Sequence, residues 1–188
     1  MMFELKEIYT KSNLLSLFRL LLAIPLWILL DDFETNRYLV FGLCLFAAFT
    51  DIFDGYLARK FNEVTEFGKI IDPLADKIAM AAVVIKLFLI GEIPPLYFYL
   101  IIGRDSLIFL GGLFVSKKLG MVLPSNMLGK ITVLTIGTVL LFILLGFNKE
   151  NPVYLIFYYL SIVLIFASFS GYIIRAAEFM KRNRNVHV

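Results

Sequence analysis

The chain consists of long apolar stretches separated by short polar connections. Six stretches are long enough to cross a membrane as helices, because one crossing takes about 20 mainly apolar residues. They run from Leu14 to Leu30, Tyr38 to Leu57, Ile70 to Ile90, Pro95 to Val115, Leu128 to Phe147, and Val153 to Ala177. None of the connections is long enough for a soluble domain. The pattern predicts a single all-α integral membrane domain over residues 1–188, with six transmembrane helices.

The two ends of the chain are more polar than the stretches between them. Phe3, Leu5 and Ile8 stand among charged residues, a pattern typical of a short helix lying at the membrane interface. This N-terminal region lacks a short apolar run with a small-residue cleavage site, so we expect the first apolar stretch to be retained. From Lys181 onward the sequence is polar and predicts a loose tail.

Composition agrees with a membrane protein. Hydrophobic residues make up 60% of the 188 residues and charged residues only 18%, whereas average soluble domains carry roughly 25% charged residues. The single cysteine, Cys44, excludes a disulfide within the chain. The single histidine, His187, lies in the polar tail, so we do not expect a buried catalytic histidine.

Basic residues predict the orientation. With six crossings, four basic clusters fall on one side of the membrane: Lys6 and Lys11; Arg59, Lys60 and Lys69; Lys117, Lys118 and Lys130; and Lys181, Arg182 and Arg184. The opposite connections are mainly acidic, with Asp31, Asp32, Glu34, Glu92 and Glu150. Because basic connections stay in the cytoplasm, we expect a multi-pass protein of the cell (inner) membrane with both termini cytoplasmic.

Ionisable residues inside apolar stretches are costly, and each is a candidate functional residue. The set comprises Arg19, Asp51, Asp54, Asp72, Asp76, Lys77, Arg104, Asp105 and Arg175. Most of them fall in the cytoplasmic half of their predicted helices. They indicate one polar cavity that opens to the cytoplasm.

Four aspartates of this set lie within residues 51–76. Asp51 and Asp54 are three residues apart, and Asp72 and Asp76 are four apart, so each pair shares one face of a helix. Four neighbouring carboxylates repel one another unless a divalent cation neutralises them. Oxygen ligands alone suit Mg²⁺, Mn²⁺ or Ca²⁺ rather than zinc, and Mg²⁺ commonly joins carboxylates to substrate phosphates. We therefore expect metal-assisted transfer at a phosphate or diphosphate.

Other interpretations of these polar and small residues are structural. An aspartate of the set can instead cap a helix or pair with a nearby cation, namely Arg59, Lys69 or Lys77. Gly55, Ala58 and Gly68 let a ligand come close to the backbone, but small residues are equally common where membrane helices pack. Arg59 suits a diphosphate and equally suits an anchor at the cytoplasmic interface.

The spacing DxxDGxxAR, then eight residues, then GxxxDxxxD resembles the signature of the CDP-alcohol phosphotransferases. That family transfers a phosphatidyl or other substituted phosphoryl group from a CDP-linked donor to an alcohol and releases CMP. The resemblance implies that Asp51, Asp54 and Asp72 bind Mg²⁺ or Mn²⁺, and that Asp76 is the general base and lies near the metal. It also implies a homodimer and a nucleotide and diphosphate site formed by Asp51, Gly55, Ala58, Arg59 and Gly68.

Other parts of the sequence indicate which alcohol is the acceptor. Residues around the aspartates, the opening Asn13–Arg19 and the run Leu128–Lys130 resemble the phosphatidylglycerophosphate synthases of that family, which use sn-glycerol 3-phosphate. Cations on three other helices would then bind the acceptor phosphate, namely Arg104, Lys130 and Arg175. The Arg104-Asp105 pair differs from the Arg-Glu pair of many such synthases. An Arg-Asp pair at this place is similar to cardiolipin synthases of the same superfamily, whose acceptor is phosphatidylglycerol. Both enzymes use CDP-diacylglycerol.

Two other classes of protein compete with an enzyme. A cation transporter would ordinarily place its aspartates near the membrane midplane, often with repeats or broken helices, whereas here they crowd one side. A purely structural membrane protein gives no reason for four aspartates. The partners we expect are CDP-diacylglycerol, a small polar or lipid alcohol and membrane lipid, with no nucleic acid.

Overall fold

The computed structural model describes residues 10–61, 68–119 and 127–186, except the side chains of 11–12, 52, 54–61, 68–73, 113, 116–119 and 180–186. The described residues form six α helices and no strand, which confirms the all-α prediction for this part of the chain. The helices are α1 (Lys11–Leu29), α2 (Phe33–Phe61), α3 (Gly68–Leu89), α4 (Pro95–Leu119), α5 (Met127–Leu144) and α6 (Pro152–Val186). The predicted interfacial helix lies outside the described residues.

Two boundaries differ from the sequence-based expectation. The first connection is only a 3₁₀ turn at Leu30–Asp32, and α2 already begins at Phe33. The tail expected to be loose from Lys181 is helical as far as Val186. That segment has neither glycine nor proline to end the helix, and its lysine and arginine side chains favour a helical backbone. The prediction of a loose tail, which rested on polarity alone, was therefore wrong about where α6 ends.

Glycines in a left-handed conformation end α3 and α5. Gly91 has a φ of 83° and Gly146 a φ of 72°. After α3, the Gly91 N–H donates to the Phe88 carbonyl and the Glu92 N–H donates to the Leu87 carbonyl, at 3.0 and 2.9 Å. This is a Schellman motif, which satisfies carbonyls that the helix end leaves without partners. The same pattern of bonds occurs around Gly146, so both turns follow from local sequence.

The start of α6 is also encoded locally. Pro152 is the first residue of the helix, where its missing N–H costs nothing and its fixed φ suits the helix. The Asn151 side chain precedes it and accepts a hydrogen bond from the Val153 N–H at 2.9 Å. An asparagine cap of this kind satisfies one of the free N–H groups at the helix start.

The described residues of the Met1–Glu92 unit pack around α1, which contacts both α2 and α3. Leu26, Leu30, Val40, Val84 and Leu87 are buried in its apolar core. Buried Lys86 lies near the C-terminal end of α3 and pairs with Asp31 of the 3₁₀ turn. Its ammonium group lies 5.1 Å from the centre of the Trp27 ring. This ion pair ties α3 to the turn that follows α1.

The described residues of the Ile93–Val188 unit pack around α6, which contacts α4 and α5. The hydroxyls of Tyr97 and Ser161 lie 2.7 Å apart, and both side chains are completely buried. Ser161 donates to the Tyr158 carbonyl at 2.6 Å, so its oxygen accepts from Tyr97. The Thr132 hydroxyl of α5 lies 2.6 Å from the Leu128 carbonyl of its own helix and 3.2 Å from the Leu164 carbonyl of α6, and its one proton is shared between them. Small polar groups thus join the helices inside this unit.

Apolar side chains cover much of the outside of the described helices. Examples with more than half of their surface exposed are Leu21, Leu39, Leu134, Ile156 and Phe166. Three segments of the described chain are long and apolar enough to cross a membrane, at Asn13–Asp51, Met127–Leu144 and Pro152–Phe179. An apolar outer face over buried polar groups is what a lipid surrounding requires.

We predict that the hydrogen bond between Tyr97 and Ser161 stabilises the second unit asymmetrically. Ser161→Ala leaves a buried tyrosine hydroxyl without an acceptor and should lower the free energy of unfolding by about 1–3 kcal/mol. Tyr97→Phe should cost only about 1 kcal/mol, because Ser161 keeps its bond to the Tyr158 carbonyl. Unfolding in mixed micelles measures both values.

Ser170→Ala is the matched control for this prediction. The Ser170 hydroxyl is exposed and donates to the Phe166 carbonyl of its own helix, so its loss should have little effect. A Ser161→Ala protein as stable as the wild type would contradict the assigned role of this bond.

Candidate functional site

A buried arginine joins two of the predicted aspartates. The Nη1 atom of Arg19 on α1 donates to Asp51 of α2 at 2.6 Å and also to Asp76 of α3. The Arg19 side chain is 3% exposed, whereas those of Asp51 and Asp76 are 48% and 42% exposed. Because one nitrogen contacts an oxygen of each carboxylate, three helices meet at a single charged cluster. We call these three side chains the Arg19 cluster.

The sequence of α1 explains how this arginine comes to be buried. Asn13, Ser16 and Arg19 follow one another at intervals of three residues and are all buried. This spacing places them on one face of the helix, and α1 packs against both α2 and α3. The apolar residues Leu14, Phe18 and Leu21 are exposed on other faces of the same helix. Burying the polar face keeps the arginine away from lipid and brings it to the carboxylates.

The chemistry of the Arg19 cluster fits a hard divalent cation. Its anionic groups are carboxylate oxygens, which come from two helices and converge on one positive charge. Mg²⁺ is usually held by one or two carboxylates together with waters and substrate phosphates. Among the described side chains, no three Asp, Glu, His or Cys groups converge. Asp51 and Asp76 would therefore hold such an ion together with groups outside these side chains.

The remaining residues of the predicted donor site lie where their surroundings are not described. Asp54, Gly55, Ala58 and Arg59 belong to α2, and Gly68 and Asp72 belong to α3. Their side chains fall outside the described residues. Of the four predicted aspartates, the structure describes Asp51 and Asp76 and brings them together. The assignment of the other residues remains a prediction.

A second buried guanidinium organises the Ile93–Val188 unit. Arg104 of α4 donates to Asp105 at 2.5 Å, to the Ser168 hydroxyl of α6 at 3.3 Å, and to the Gly129 carbonyl of α5 at 3.4 Å. Its side chain is 6% exposed. The local pair with Asp105 is present, but Arg104 also joins all three helices of the unit. This position fixes the direction of the guanidinium.

The absence of a side chain at Gly129 leaves space for Arg104. A Cβ atom at Gly129 would lie 3.3 Å from Tyr172 Cε2 and 3.4 Å from Arg104 Nη2. A side chain at this position would first meet the tyrosine ring, while its contact with the guanidinium lies at the limit of ordinary van der Waals distance. The glycine therefore lets Tyr172 of α6 and the Arg104 side chain lie close to the backbone of α5.

The two other predicted acceptor cations occupy different environments. Lys130 follows Gly129 and is exposed, whereas Arg175 is half-buried. Arg175 comes three residues after Tyr172 and seven after Ser168, which places it on the same face of α6 as both. Arg104 thus contacts the backbone of Gly129, the residue before Lys130, and Ser168 on the same face of α6 as Arg175. Acceptor binding by these residues remains a prediction.

An apolar cleft of about 290 Å³ lies between α4 and α6 in the same unit. Glycines and alanines on the two helices open space beside aromatic side chains. The lining includes Gly111, Gly112, Phe114, Phe169, Tyr172 and Ala176. Its surface suits a hydrocarbon group rather than a charged one.

Sequence reasoning noticed Arg19 as an intramembrane charge but gave it no role in the site. The missed signal was the polar spacing of Asn13, Ser16 and Arg19 in an otherwise apolar helix. Ser168, which contacts Arg104, had no such signal because a single serine in a membrane helix usually bonds its own backbone. Ser168 does so as well, donating to the Ile165 carbonyl at 3.1 Å.

Comparisons with known proteins identify the relatives of this chain. A CDP-diacylglycerol–glycerol-3-phosphate 3-phosphatidyltransferase of Aquifex aeolicus is 42% identical over 131 residues, which cover 69% of this chain and 72% of that protein. The Bacillus subtilis protein of the same name is 44% identical over 89 residues, covering 47% of this chain and 46% of that protein.

A relative with another name also matches. The cardiolipin synthase (CMP-forming) / mitochondrial hydrolase fusion protein of Schizosaccharomyces pombe is 41% identical over 105 residues, which cover 55% of this chain and 17% of that protein. The matched regions thus span most of the Aquifex relative but only part of the other two.

The family described as CDP-alcohol phosphatidyltransferase matches residues 9–170. The match includes the Arg19 cluster, all four predicted aspartates and Arg104. It covers most of the chain, and the resemblance found in the motif is therefore confirmed at the level of the family. The chain belongs to the CDP-alcohol phosphatidyltransferase family.

Proposed function

We propose that this protein transfers the phosphatidyl group of CDP-diacylglycerol to sn-glycerol 3-phosphate and releases CMP, producing phosphatidylglycerophosphate. The convergence of Asp51 and Asp76 on one buried cation, in a member of this family, carries the proposal. The names of the Aquifex and Bacillus relatives support glycerol 3-phosphate as the acceptor.

The donor half of the reaction uses the aspartates for the metal and other residues for the nucleotide. Asp51, Asp54 and Asp72, with Asp76 close by, would hold Mg²⁺ or Mn²⁺, and Gly55, Ala58, Arg59 and Gly68 would form the nucleotide site. When bound, the metal would neutralise the diphosphate and stabilise the departing CMP. The paired position of Asp51 and Asp76 supports this arrangement.

Asp76 is the proposed general base. An alcohol becomes an effective nucleophile when a base takes its proton as it attacks. The acceptor oxygen forms a bond to the phosphatidyl phosphorus, the bond from that phosphorus to the oxygen of CMP breaks, and the proton goes to the Asp76 carboxylate. The partial exposure of Asp76 leaves it open to a substrate hydroxyl.

The acceptor phosphate binds cations of the Ile93–Val188 unit, namely Arg104, Lys130 and Arg175. Arg104 is buried and held on three helices, so its guanidinium is positioned before the substrate arrives. Lys130 is exposed beside Gly129 and can reach a charged ligand. Residues 1–188 act as a single catalytic domain, and the family match across residues 9–170 supports this.

In the membrane, the six helices each make one crossing, with the active site and both termini facing the cytoplasm of the cell (inner) membrane. The distribution of basic residues supports this orientation. A homodimer is proposed, with exposed aromatic side chains such as Phe109 and Phe114 of α4 available to contact a second copy.

Cardiolipin synthase is the second candidate function. The Schizosaccharomyces relative carries that name and is 41% identical. The Arg104-Asp105 pair, which resembles the pair in cardiolipin synthases, also favours this alternative. In this alternative the acceptor is phosphatidylglycerol, while CDP-diacylglycerol remains the donor. A cation transporter is the alternative from a different class, and membership in this family argues against it.

An acceptor panel tests the proposal. Purified protein is incubated with Mg²⁺ and CDP-diacylglycerol, and CMP release is measured with sn-glycerol 3-phosphate, phosphatidylglycerol, inositol or serine. We expect CMP with glycerol 3-phosphate. Release with phosphatidylglycerol alone would identify the cardiolipin alternative, and no release with any acceptor would count against an enzyme.

Asp76→Asn should lower kcat by about 10²-fold or more, because the amide cannot accept the acceptor proton. Asp51, Asp54 and Asp72 should still hold Mn²⁺ and with it CDP, which equilibrium titration measures separately from turnover. Asp32→Asn is the matched control, since Asp32 is exposed in the 3₁₀ turn after α1 and has no role in the site. Near-normal turnover by Asp76→Asn would remove Asp76 as the base.

Lys130→Ala and Arg104→Ala should raise the KM for glycerol 3-phosphate about tenfold or more, because each removes a charged contact with the acceptor phosphate. The KM for CDP-diacylglycerol should change much less. Lys149→Ala, in the exposed connection after α5, should change neither. Equal increases in both KM values would contradict the assignment of these cations to the acceptor.

A further inference from the structure

Arg19 occupies a position that the proposed chemistry does not use. It is the only member of the Arg19 cluster without a role in the metal site or in proton transfer. A charged side chain buried in a membrane helix is costly and calls for a specific partner. Here its partners include two residues that the proposed reaction assigns to the metal and to the base.

We infer that Arg19 is the resident counter-cation of the metal site: it holds Asp51 and Asp76 together while the site is metal-free, and it lowers the affinity of the site for a divalent ion. This inference rests on the proposed function, which places a metal at these aspartates. It concerns a positioning residue, because Arg19 acts through the two carboxylates.

The shared contact supports the first half of the inference. One nitrogen of Arg19 bonds to oxygens from two different helices. Without a positive charge between them, two neighbouring carboxylates repel each other. A divalent ion held by Asp51 and Asp76 would likewise need a carboxylate from α2 and one from α3 to lie close together. Arg19 therefore preserves an arrangement of α2 and α3 that the metal can use.

Exposure shows from which side an ion can arrive. The Arg19 side chain is nearly completely buried, whereas almost half of each carboxylate is exposed. The guanidinium thus approaches the oxygens from within the helices and leaves their outer surface accessible. A divalent ion can reach the aspartates without first removing a helix.

The fixed charge of arginine supports the second half of the inference. A guanidinium does not lose its proton under physiological conditions, so it cannot become neutral when the metal arrives. A positive charge beside a divalent ion repels it, and Arg19 also occupies oxygen lone pairs that the ion would use. Both effects predict weaker metal binding in the wild type than in a neutral variant.

Mn²⁺ binding tests this inference directly, without requiring turnover. The full chain is purified, stripped with a chelator and titrated with Mn²⁺, with the free ion measured by electron paramagnetic resonance. Arg19→Met and Arg19→Gln should bind Mn²⁺ at least about tenfold more tightly. This is the change expected from removing a unit charge a few ångströms from a divalent ion, even at the dielectric constant of water.

Two variants separate charge from other effects. Arg19→Lys keeps the charge and should bind Mn²⁺ about as weakly as the wild type. Lys86→Met removes another buried cation of the same unit, which lies ten residues from Asp76 along α3, or about 15 Å. It should leave Mn²⁺ affinity unchanged, because that charge is far from the aspartates.

Stability gives a second readout. The metal-free neutral variants should unfold at lower temperature than the wild type, and Mn²⁺ should restore more stability to them than to the wild type. If Arg19→Met and Arg19→Gln fold only when Mn²⁺ is present during purification, that rescue also supports the inference. Misfolding that Mn²⁺ does not rescue would overturn it.

The remaining outcomes distinguish this inference from the proposed function. Unchanged or weaker Mn²⁺ binding in both neutral variants, with normal binding and CMP release in the wild type, overturns the role of Arg19 alone. A wild-type protein that binds no Mn²⁺ overturns the metal assignment under the proposed function, and the inference falls with it.

Discussion

Buried charge inside an apolar helix is the constraint on which the site depends. A guanidinium cannot remain among lipid chains without partners, and Arg19 resolves this by bonding to carboxylates on two other helices. The same contact fixes where α1 meets α2 and α3 and gathers two aspartates that would otherwise repel. Packing and chemistry therefore have a common origin in this part of the protein.

The second unit solves the same problem with different partners. Arg104 bonds to one carboxylate, one hydroxyl and one backbone carbonyl, and so joins α4, α5 and α6. Among the described side chains, Arg104 pairs with one carboxylate, whereas Arg19 pairs with two. That difference matches the division of the proposed reaction, in which acidic groups serve the metal and cationic groups serve the acceptor.

Small residues and hydroxyls support these charged groups. Gly129 allows Arg104 and Tyr172 to approach α5, and Ser161 accepts from the buried Tyr97 hydroxyl. Helices in lipid gain little from the hydrophobic effect between them, so close backbone approach and interhelical hydrogen bonds contribute much of their packing energy. The apolar side chains on the outside serve contact with lipid instead.

The sequence by itself determined the helices and the reaction class. Apolar length located all six helices, although α6 continues past its predicted end to Val186, and the aspartate spacing identified the family. Only the tertiary structure decided which charges meet. Arg19 lies 32 residues from Asp51 and 57 from Asp76, and helical periodicity relates only residues a few positions apart. Contacts across such distances depend on how helices pack, so Arg19 acquired a role only when the fold was known.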